Sequence, residues 1–330
     1  MKDHPDLQLI PNLSLLKEYA DGYPEGIHVT PDVIGSIGDG TTEQFREHAK
    51  TYDERYFGLE EQNRRLLARC KEIFPSFELS SVETILDIGC GSGNATFAML
   101  DVLTDASVYA TDISPDMVAI LAERAEQRNV SKNIVPFISN AEKVNLKPES
   151  FDLIFGSSMV HHLNEPDVFL DRILPSLKPG GLCLFTEPFK VGHLILRMFL
   201  DELSRGSHYS HGIPDDIQEF FRSYIFTIDA MTTLDRTELD YSKLDDKWMF
   251  SRNFFEETAK RNDVNYGFFC TDAIENRFVF NIERLVWLGL GQKWTMPEPA
   301  RDFVARFDAS LPLDVMDEIP SSGCIIFKKN

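Results

Sequence analysis

Three glycines stand at alternate positions two residues after an acid, in the run Leu86-Asp87-Ile88-Gly89-Cys90-Gly91-Ser92-Gly93-Asn94. Glycine reaches backbone conformations closed to other residues and carries no side chain. Such a run lets the chain turn tightly and lets a ligand lie against bare main chain. A helix that starts there offers open N–H groups and a partial positive end, which suits a carboxylate or a phosphate. A second acid, Asp112, closes the apolar run Ser107-Val108-Tyr109-Ala110-Thr111, and its two oxygens can each take one of two adjacent donors. His161 and His162 lie in Ser157-Ser158-Met159-Val160-His161-His162. Neutral imidazole takes a proton from a hydroxyl at physiological pH, though either ring can equally pack or bond to backbone. Glu187, in Phe185-Thr186-Glu187-Pro188, can orient an acceptor or a base, or cap a helix. His208 and His211 are spaced as metal ligands, but no third ligand completes a pattern, so no metal is expected.

These residues need elements that hold them together. Glu83 to Gly89 reads as a buried strand that enters the glycine turn and a helix from Ala95 to Leu103. Further strands are expected at 107–112, 133–139, 151–156 and 182–186, with a helix from Pro115 to about Arg128 and a sharp turn at Lys178-Pro179-Gly180-Gly181. Strands alternating with helices imply a parallel sheet covered on both faces, with ligands bound beyond the carboxyl ends of the strands. Residues 1 to about 40 hold four prolines and little periodicity and read as an irregular arm. Residues 41–74 turn helical. After Pro188 the alternation breaks. Apolar pieces at 194–203 and 220–226 suggest helices, and a helix near 251–260, a strand at 266–271, a helical stretch at 275–311 and a strand at 323–327 follow. Phe220, Phe221, Tyr224 and Phe226 suit either an acceptor pocket or the core of a helical lid. The expected organisation is an arm and covering helices at 1–75, a core at 76–188, a helical lid insertion at 189–250, and the remainder of the core with a second helical insertion at 251–330.

The spacing G-x-G-x-G differs from the dinucleotide fingerprint G-x-G-x-x-G, whose third glycine would fall on Asn94. With the acid before it, the run resembles the first motif of class I S-adenosylmethionine-dependent methyltransferases. Asp112 in Tyr109-Ala110-Thr111-Asp112-Ile113-Ser114, the segment Asn140-Ala141-Glu142, the strand Phe151-Asp152-Leu153-Ile154-Phe155-Gly156-Ser157 and the turn Leu177-Lys178-Pro179-Gly180-Gly181 resemble the later landmarks of that family, in family order. The resemblance implies a Rossmann-like, doubly wound α/β fold with a seven-stranded sheet whose last strand is antiparallel. It implies S-adenosylmethionine as the cofactor. Asp87, Gly89, Gly91 and Gly93 would hold its methionine part, Asp112 its ribose, Ile113 and Met117 the adenine faces, Asn140 and Ala141 the adenine edge, and Gly156 and Ser157 its amino group. Tyr52 is similar to a tyrosine that covers the cofactor in many members. His161, His162 and Glu187 are the candidates for acid–base or acceptor-side work.

Composition limits the partners. Fifty-three acidic against 33 basic side chains give a formal charge of −20, which repels phosphate backbones and anionic membranes, so neither nucleic acid nor a membrane is an expected partner. Five scattered cysteines form neither a disulfide framework nor a zinc pattern. The first residues lack the basic start and apolar core of a secretory signal, and the cytoplasm is the expected compartment. The expected activity is methyl transfer to a small-molecule acceptor, with oxygen first among acceptor atoms and a natural product or saccharide as the suggested class. A non-catalytic protein that binds the cofactor, and a nicotinamide dehydrogenase, are the alternatives. Oligomeric state stays open.

Overall fold

The computed structural model describes residues 6–36, 59–232, 240–241, 244–273, 275–312, 315 and 318–330. The chain divides into two compact units. Met1–Phe185, Glu256–Gly267 and Ile325–Asn330 form the first, and Thr186–Phe255 with Phe268–Cys324 the second.

In chain order the strands are β1 (Ser14–Leu15), β2 (His28–Val29), β3 (Thr84–Ile88), β4 (Ser107–Asp112), β5 (Ile134–Ile138), β6 (Phe151–Ser157), β7 (Leu177–Pro188), β8 (Val264–Cys270) and β9 (Ser322–Lys329). They lie side by side in the order β1-β2-β5-β4-β3-β6-β7-β9-β8. The last seven places are the expected Rossmann-like arrangement, entered at its centre by β3. β3 pairs in parallel with β4 and β6, with Asp87 opposite Ala110 on one side and Phe155 on the other. This register brings the carboxyl ends of the three central strands level. Four of the five β3 residues are buried, as a strand covered on both faces requires.

The described helices are α1 (Leu59–Ile73), α2 (Asn94–Val102), α3 (Pro115–Gln127), α4 (Pro166–Ile173), α5 (Lys190–Ser204), α6 (Asp215–Thr232), α7 (Arg252–Arg261), α8 (Arg277–Leu290) and α9 (Glu298–Ser310). Among the described residues no helix is long and apolar enough to cross a membrane. Ser114 starts α3 by accepting a hydrogen bond from the Met117 amide, with Pro115 at the first helical position, where its missing N–H costs nothing.

Two expectations need correction. The N-terminal arm is not wholly irregular, because β2 pairs in parallel with β5 and β1 pairs antiparallel with β2. The sheet therefore has nine strands instead of seven. Two-residue strands carry no periodicity that a sequence could display. They cover an edge of β5 that would otherwise expose its pairing groups. Leu16, Ile27, Val29 and Val33 pack there with Val118 and Ile138. The fifth strand of the core was expected from Leu182, with Lys178 to Gly181 as a turn. It begins at Leu177 and carries Gly180, at φ +80°, inside it. Lys178 is drawn to the sheet by Asp152 at 2.9 Å and the Thr84 hydroxyl at 3.0 Å. A Cβ on Gly181 would meet the Asp152 carbonyl oxygen at 3.0 Å, so only glycine lets the strands lie this close.

The second unit has its own core, in which Leu196, Leu200, Leu203, Phe221, Ile282 and Val304 are buried. Phe220, Phe221 and Tyr224 belong to this packing, with Phe221 edge-on to Trp294, while Phe226 is 64% exposed. Arg277 is buried beside Asp272, whose carboxylate accepts from the Ser321 and Ser322 amides. At the start of α5 the Gly192 amide donates to the Pro320 carbonyl at 3.0 Å, and an added Cβ would fall within about 2.5 Å of Pro320 backbone atoms. Backbone cannot give way as a side-chain end does. Gly192→Ala is therefore expected to destabilise the protein by about 1–3 kcal/mol, read as a lower midpoint in denaturant unfolding. An unchanged midpoint would refute the close approach.

Candidate functional site

β3 ends at Ile88 and the chain turns through Gly89, Gly91 and Gly93, with φ of +69°, +51° and +94°. Gly93 is the residue on which α2 starts, and no side chain caps that end. An alanine at Gly93 would hold a strained backbone and press its Cβ to 2.8 Å from the Phe97 ring. At Gly89 the same atom would meet the Met159 Cβ at 2.8 Å. The turn is stitched to its surroundings by the Cys90 amide on the Thr111 carbonyl and the Gly93 amide on the Cys90 carbonyl, both at 2.9 Å.

Asp112, at the end of β4, lies beside this turn. One carboxylate oxygen accepts from the Gly91 amide at 3.0 Å and the other from the Ser114 amide at 2.9 Å. Beyond these amide bonds the carboxylate keeps acceptor capacity for an incoming hydroxyl. Behind it the Thr111 and Ser139 hydroxyls share a hydrogen bond of 2.7 Å. Asp87 is 1% exposed and takes the Thr96 hydroxyl of α2 at 2.5 Å.

The electrostatics of these two acids follow from burial. Loss of water raises the Asp87 carboxyl to about 7, opposed by the Thr96 hydroxyl and assisted by the negative charge of Asp112. Asp112 is also raised, by burial above all, although the Ser114, Gly91 and Ile113 amides and the charge of His162 pull the other way. Burial and the two neighbouring acids lift the Cys90 thiol well above its ordinary range, so it stays protonated. Among the described residues no lysine or arginine pairs with either acid. Among the described residues the charge of His162 is the one that favours the Asp112 carboxylate, and a ligand with positive charge would favour both ionised acids.

The remaining expected residues fall as follows. Ile113 follows Asp112, and Met117 is buried in the first turn of α3. Asn140 uses its side-chain oxygen on the Glu142 amide at 2.9 Å, and its own amide reaches Asp32 at 3.4 Å. Ala141 is the next residue, and Glu142 in turn holds the Asn164 and Glu165 amides. Gly156 is packed too tightly for a side chain, since a Cβ would lie 2.7 Å from the Phe185 ring, and Ser157 closes β6. His161 and His162 stand in a short helical turn past the end of β6, their ring centroids 4.1 Å apart. His161 is the more buried of the two, while the charge of His162 is the one Asp112 feels. Glu187 belongs to the second unit and is 1% exposed at the end of β7. Tyr52 lies outside the described residues. In the second unit, His208 sits against Tyr209, which stacks on Phe303 at 4.3 Å.

Four contributors escaped the sequence reading. Ser114 was marked by the pair Ser114-Pro115, a helix-start signature. Thr96, Ser139 and Arg124 carry no local signal, because their partners lie 9, 28 and 32 residues away in the chain.

Comparison with known proteins gives the family. Residues 85–181, which span the glycine turn, Asp112 and β6, match a family described as a methyltransferase domain. The chain is 30% identical over 190 residues to the ubiquinone biosynthesis O-methyltransferase of Chelativorans sp. (strain BNC1), covering 55% of this chain and 68% of that protein. It is 31% identical over 156 residues to aklanonic acid methyltransferase of Streptomyces sp. (strain C5), covering 46% and 66%. These matches span about two thirds of each relative. The solved phosphoethanolamine N-methyltransferase 2 of Haemonchus contortus, in complex with S-adenosyl-L-methionine, is similar at 19% identity and a TM-score of 0.48, over 82% of this chain and 52% of that one. The chain belongs to the class I S-adenosylmethionine-dependent methyltransferases, and its methyl donor is S-adenosylmethionine.

The donor is a cation, and binding a cation near Asp87 favours the ionised carboxylate. Asp87 keeps its proton below about 7, so a cation binding beside it at acid pH would expel that proton. Affinity for S-adenosylmethionine is therefore expected to rise between about pH 5 and pH 7 and then level off. Asp87→Asn, which cannot ionise, should lose that slope. Calorimetric titration across the range reads both, and equal slopes for the two proteins would remove Asp87 from the linkage.

Proposed function

We propose that this methyltransferase moves the methyl group of S-adenosylmethionine to the oxygen of a small-molecule hydroxyl, with a natural product or a saccharide as the acceptor class. The observation that carries the cofactor half is the buried Asp87 and the half-buried Asp112, set around an uncapped glycine turn. The acceptor half is supported by the relatives, whose names include a ubiquinone O-methyltransferase, an aklanonic acid methyltransferase and an erythromycin 3''-O-methyltransferase.

The donor brings a methyl group on a sulfonium leaving group, so the chain has little bond chemistry of its own to perform. Its residues bind, align and exclude water. In this reading Gly89, Gly91 and Gly93 give the methionine part close access to the main chain, and the α2 N-terminus receives its carboxylate. Asp87, Gly156 and Ser157 serve the ammonium end. Asp112 accepts the two ribose hydroxyls with the lone pairs that Gly91 and Ser114 leave open. Ile113 and Met117 flank the adenine, and Asn140 and Ala141 meet its edge.

A hydroxyl acceptor must lose its proton as the new bond forms. His161 and His162, past the carboxyl end of β6, are the groups in this reading that take it, with His161 as the base.

Two variants test the two halves separately. Asp112→Ala should weaken S-adenosylmethionine binding at least about 10- to 100-fold, the loss expected for even one charge-assisted hydrogen bond of roughly 1.5–3 kcal/mol. Unaltered affinity would end the ribose assignment. His161→Ala should lower kcat by at least about 100-fold, the low end for a general base, while cofactor affinity stays within a few-fold. A normal pH–rate profile in that variant would take His161 out of the mechanism.

A further inference from the structure

The glycine turn has one residue with a side chain between Gly91 and Gly93, and that residue is clamped from outside. Nη1 of Arg124, on α3, donates to the Ser92 carbonyl at 2.9 Å, to the Ser92 hydroxyl at 3.2 Å and to the Asn94 side-chain oxygen at 3.2 Å. Its other terminal nitrogen donates to Glu60 of α1 at 2.8 Å. The guanidinium lies 4.9 Å from the centre of the Phe97 ring on α2. Arg128, one turn further along, holds the same Glu60 at 2.7 Å and sits 4.3 Å over the same ring. One guanidinium thus touches the turn, α1, the start of α2 and its own helix. All of these residues belong to the first unit.

The physical need for such a clamp comes from the glycines. Three of them in five residues give the turn its close access, but each also gives it more backbone freedom than any other residue would. A loop that must be ordered at the moment of binding takes that cost out of the affinity, and a loop held beforehand does not. The planar, five-donor guanidinium can hold a carbonyl, a hydroxyl and an amide oxygen on one side and a carboxylate on another. An ammonium, with donors radiating from one point, cannot span both. Arg124 and Glu60 have side-chain exposures of 18% and 21%, so their pairing is less screened than a surface ion pair.

We infer that Arg124 is the positioning residue of the glycine turn, and that Glu60 makes the seating of α1 part of cofactor affinity. Arg124 touches no reacting atom. It acts by keeping Ser92, and with it the amides of Gly91 and Gly93, in the bound arrangement before the cofactor arrives. The inference rests on the reading that the glycine turn holds S-adenosylmethionine.

The test measures steady-state kinetics and calorimetric binding of S-adenosylhomocysteine on full-length Arg124→Met, Arg124→Lys and Glu60→Gln, with Asp112→Ala beside them. Arg124→Met should raise KM for S-adenosylmethionine and the Kd for S-adenosylhomocysteine at least about 10-fold, with kcat at saturating cofactor within about two-fold of the parent. Arg124→Lys should recover part of the loss, because it can still reach the Ser92 carbonyl. Glu60→Gln should fall between the parent and Arg124→Met. A purely structural arginine would instead lower the thermal midpoint and kcat while leaving KM alone, and that pattern in Arg124→Met overturns the inference. If Arg124→Met does not fold, Arg124→Lys decides: a cofactor KM equal to that of the parent overturns it. Normal binding by Arg124→Met with impaired binding by Asp112→Ala defeats the clamp alone. Normal binding by both defeats the cofactor placement and the clamp with it.

Discussion

The Gly91 amide donates to Asp112 at 3.0 Å, and that bond determines where the bare turn lies against the neighbouring strand. It joins the end of β4 to the middle of the turn that follows β3. Without it, a carboxylate at this depth would lack one of the amide partners that make its burial tolerable. The register of the two strands makes the bond possible, because Asp87 lies opposite Ala110 and the two strand ends finish level. Ser114 contributes twice, giving its amide to Asp112 and its hydroxyl to the start of α3. Helix, strand and turn are thus fixed by a handful of bonds within a few residues of one carboxylate.

Burial gives the two acids a character that the protein's net charge does not. The −20 formal charge is spread over a surface where water and salt screen it. Asp87 and Asp112 sit where screening is weak. Both are lifted in pKa, and burial is the largest cause for each. Two acids raised by desolvation, with the charge of His162 acting on Asp112, favour a bound cation over an empty site. The same pocket should hold a neutral product less firmly, which suits an enzyme whose donor loses its positive charge in the reaction.

The second unit draws on different physics. Its core is aliphatic and aromatic, with rings such as Phe199, Phe278 and Phe307 in tilted and edge contacts of 5.2 to 5.9 Å. The buried Arg277 stands by Asp272, and Asp308 receives the Phe278 amide at 3.0 Å. Phe220, Phe221 and Tyr224, which the sequence left open between pocket lining and core, pack into this interior. Phe220 leaves no room for a side chain at Gly289, where an added Cβ would fall inside its ring's contact distance.

What the sequence determined by itself was local. Gly89, Gly91 and Gly93 announce the turn because no other residue spacing gives that backbone freedom, and positive φ at all three follows from it. The apolar runs at 84–88, 107–112 and 151–157 are legible because a strand covered on both faces must be apolar throughout. Asp112 is legible because it ends such a run with a charge. Tertiary structure alone decided the rest. β1 and β2 exist because β5 offers an open edge to two residues with no pattern of their own. Gly180 lies inside a strand because Asp152 and Thr84 hold Lys178 to the sheet. Thr96 acts on Asp87, and Arg124 on Ser92, across many residues of chain. Hydrogen bonds of this kind join side chains that only folding brings together, so no spacing along the chain can signal them.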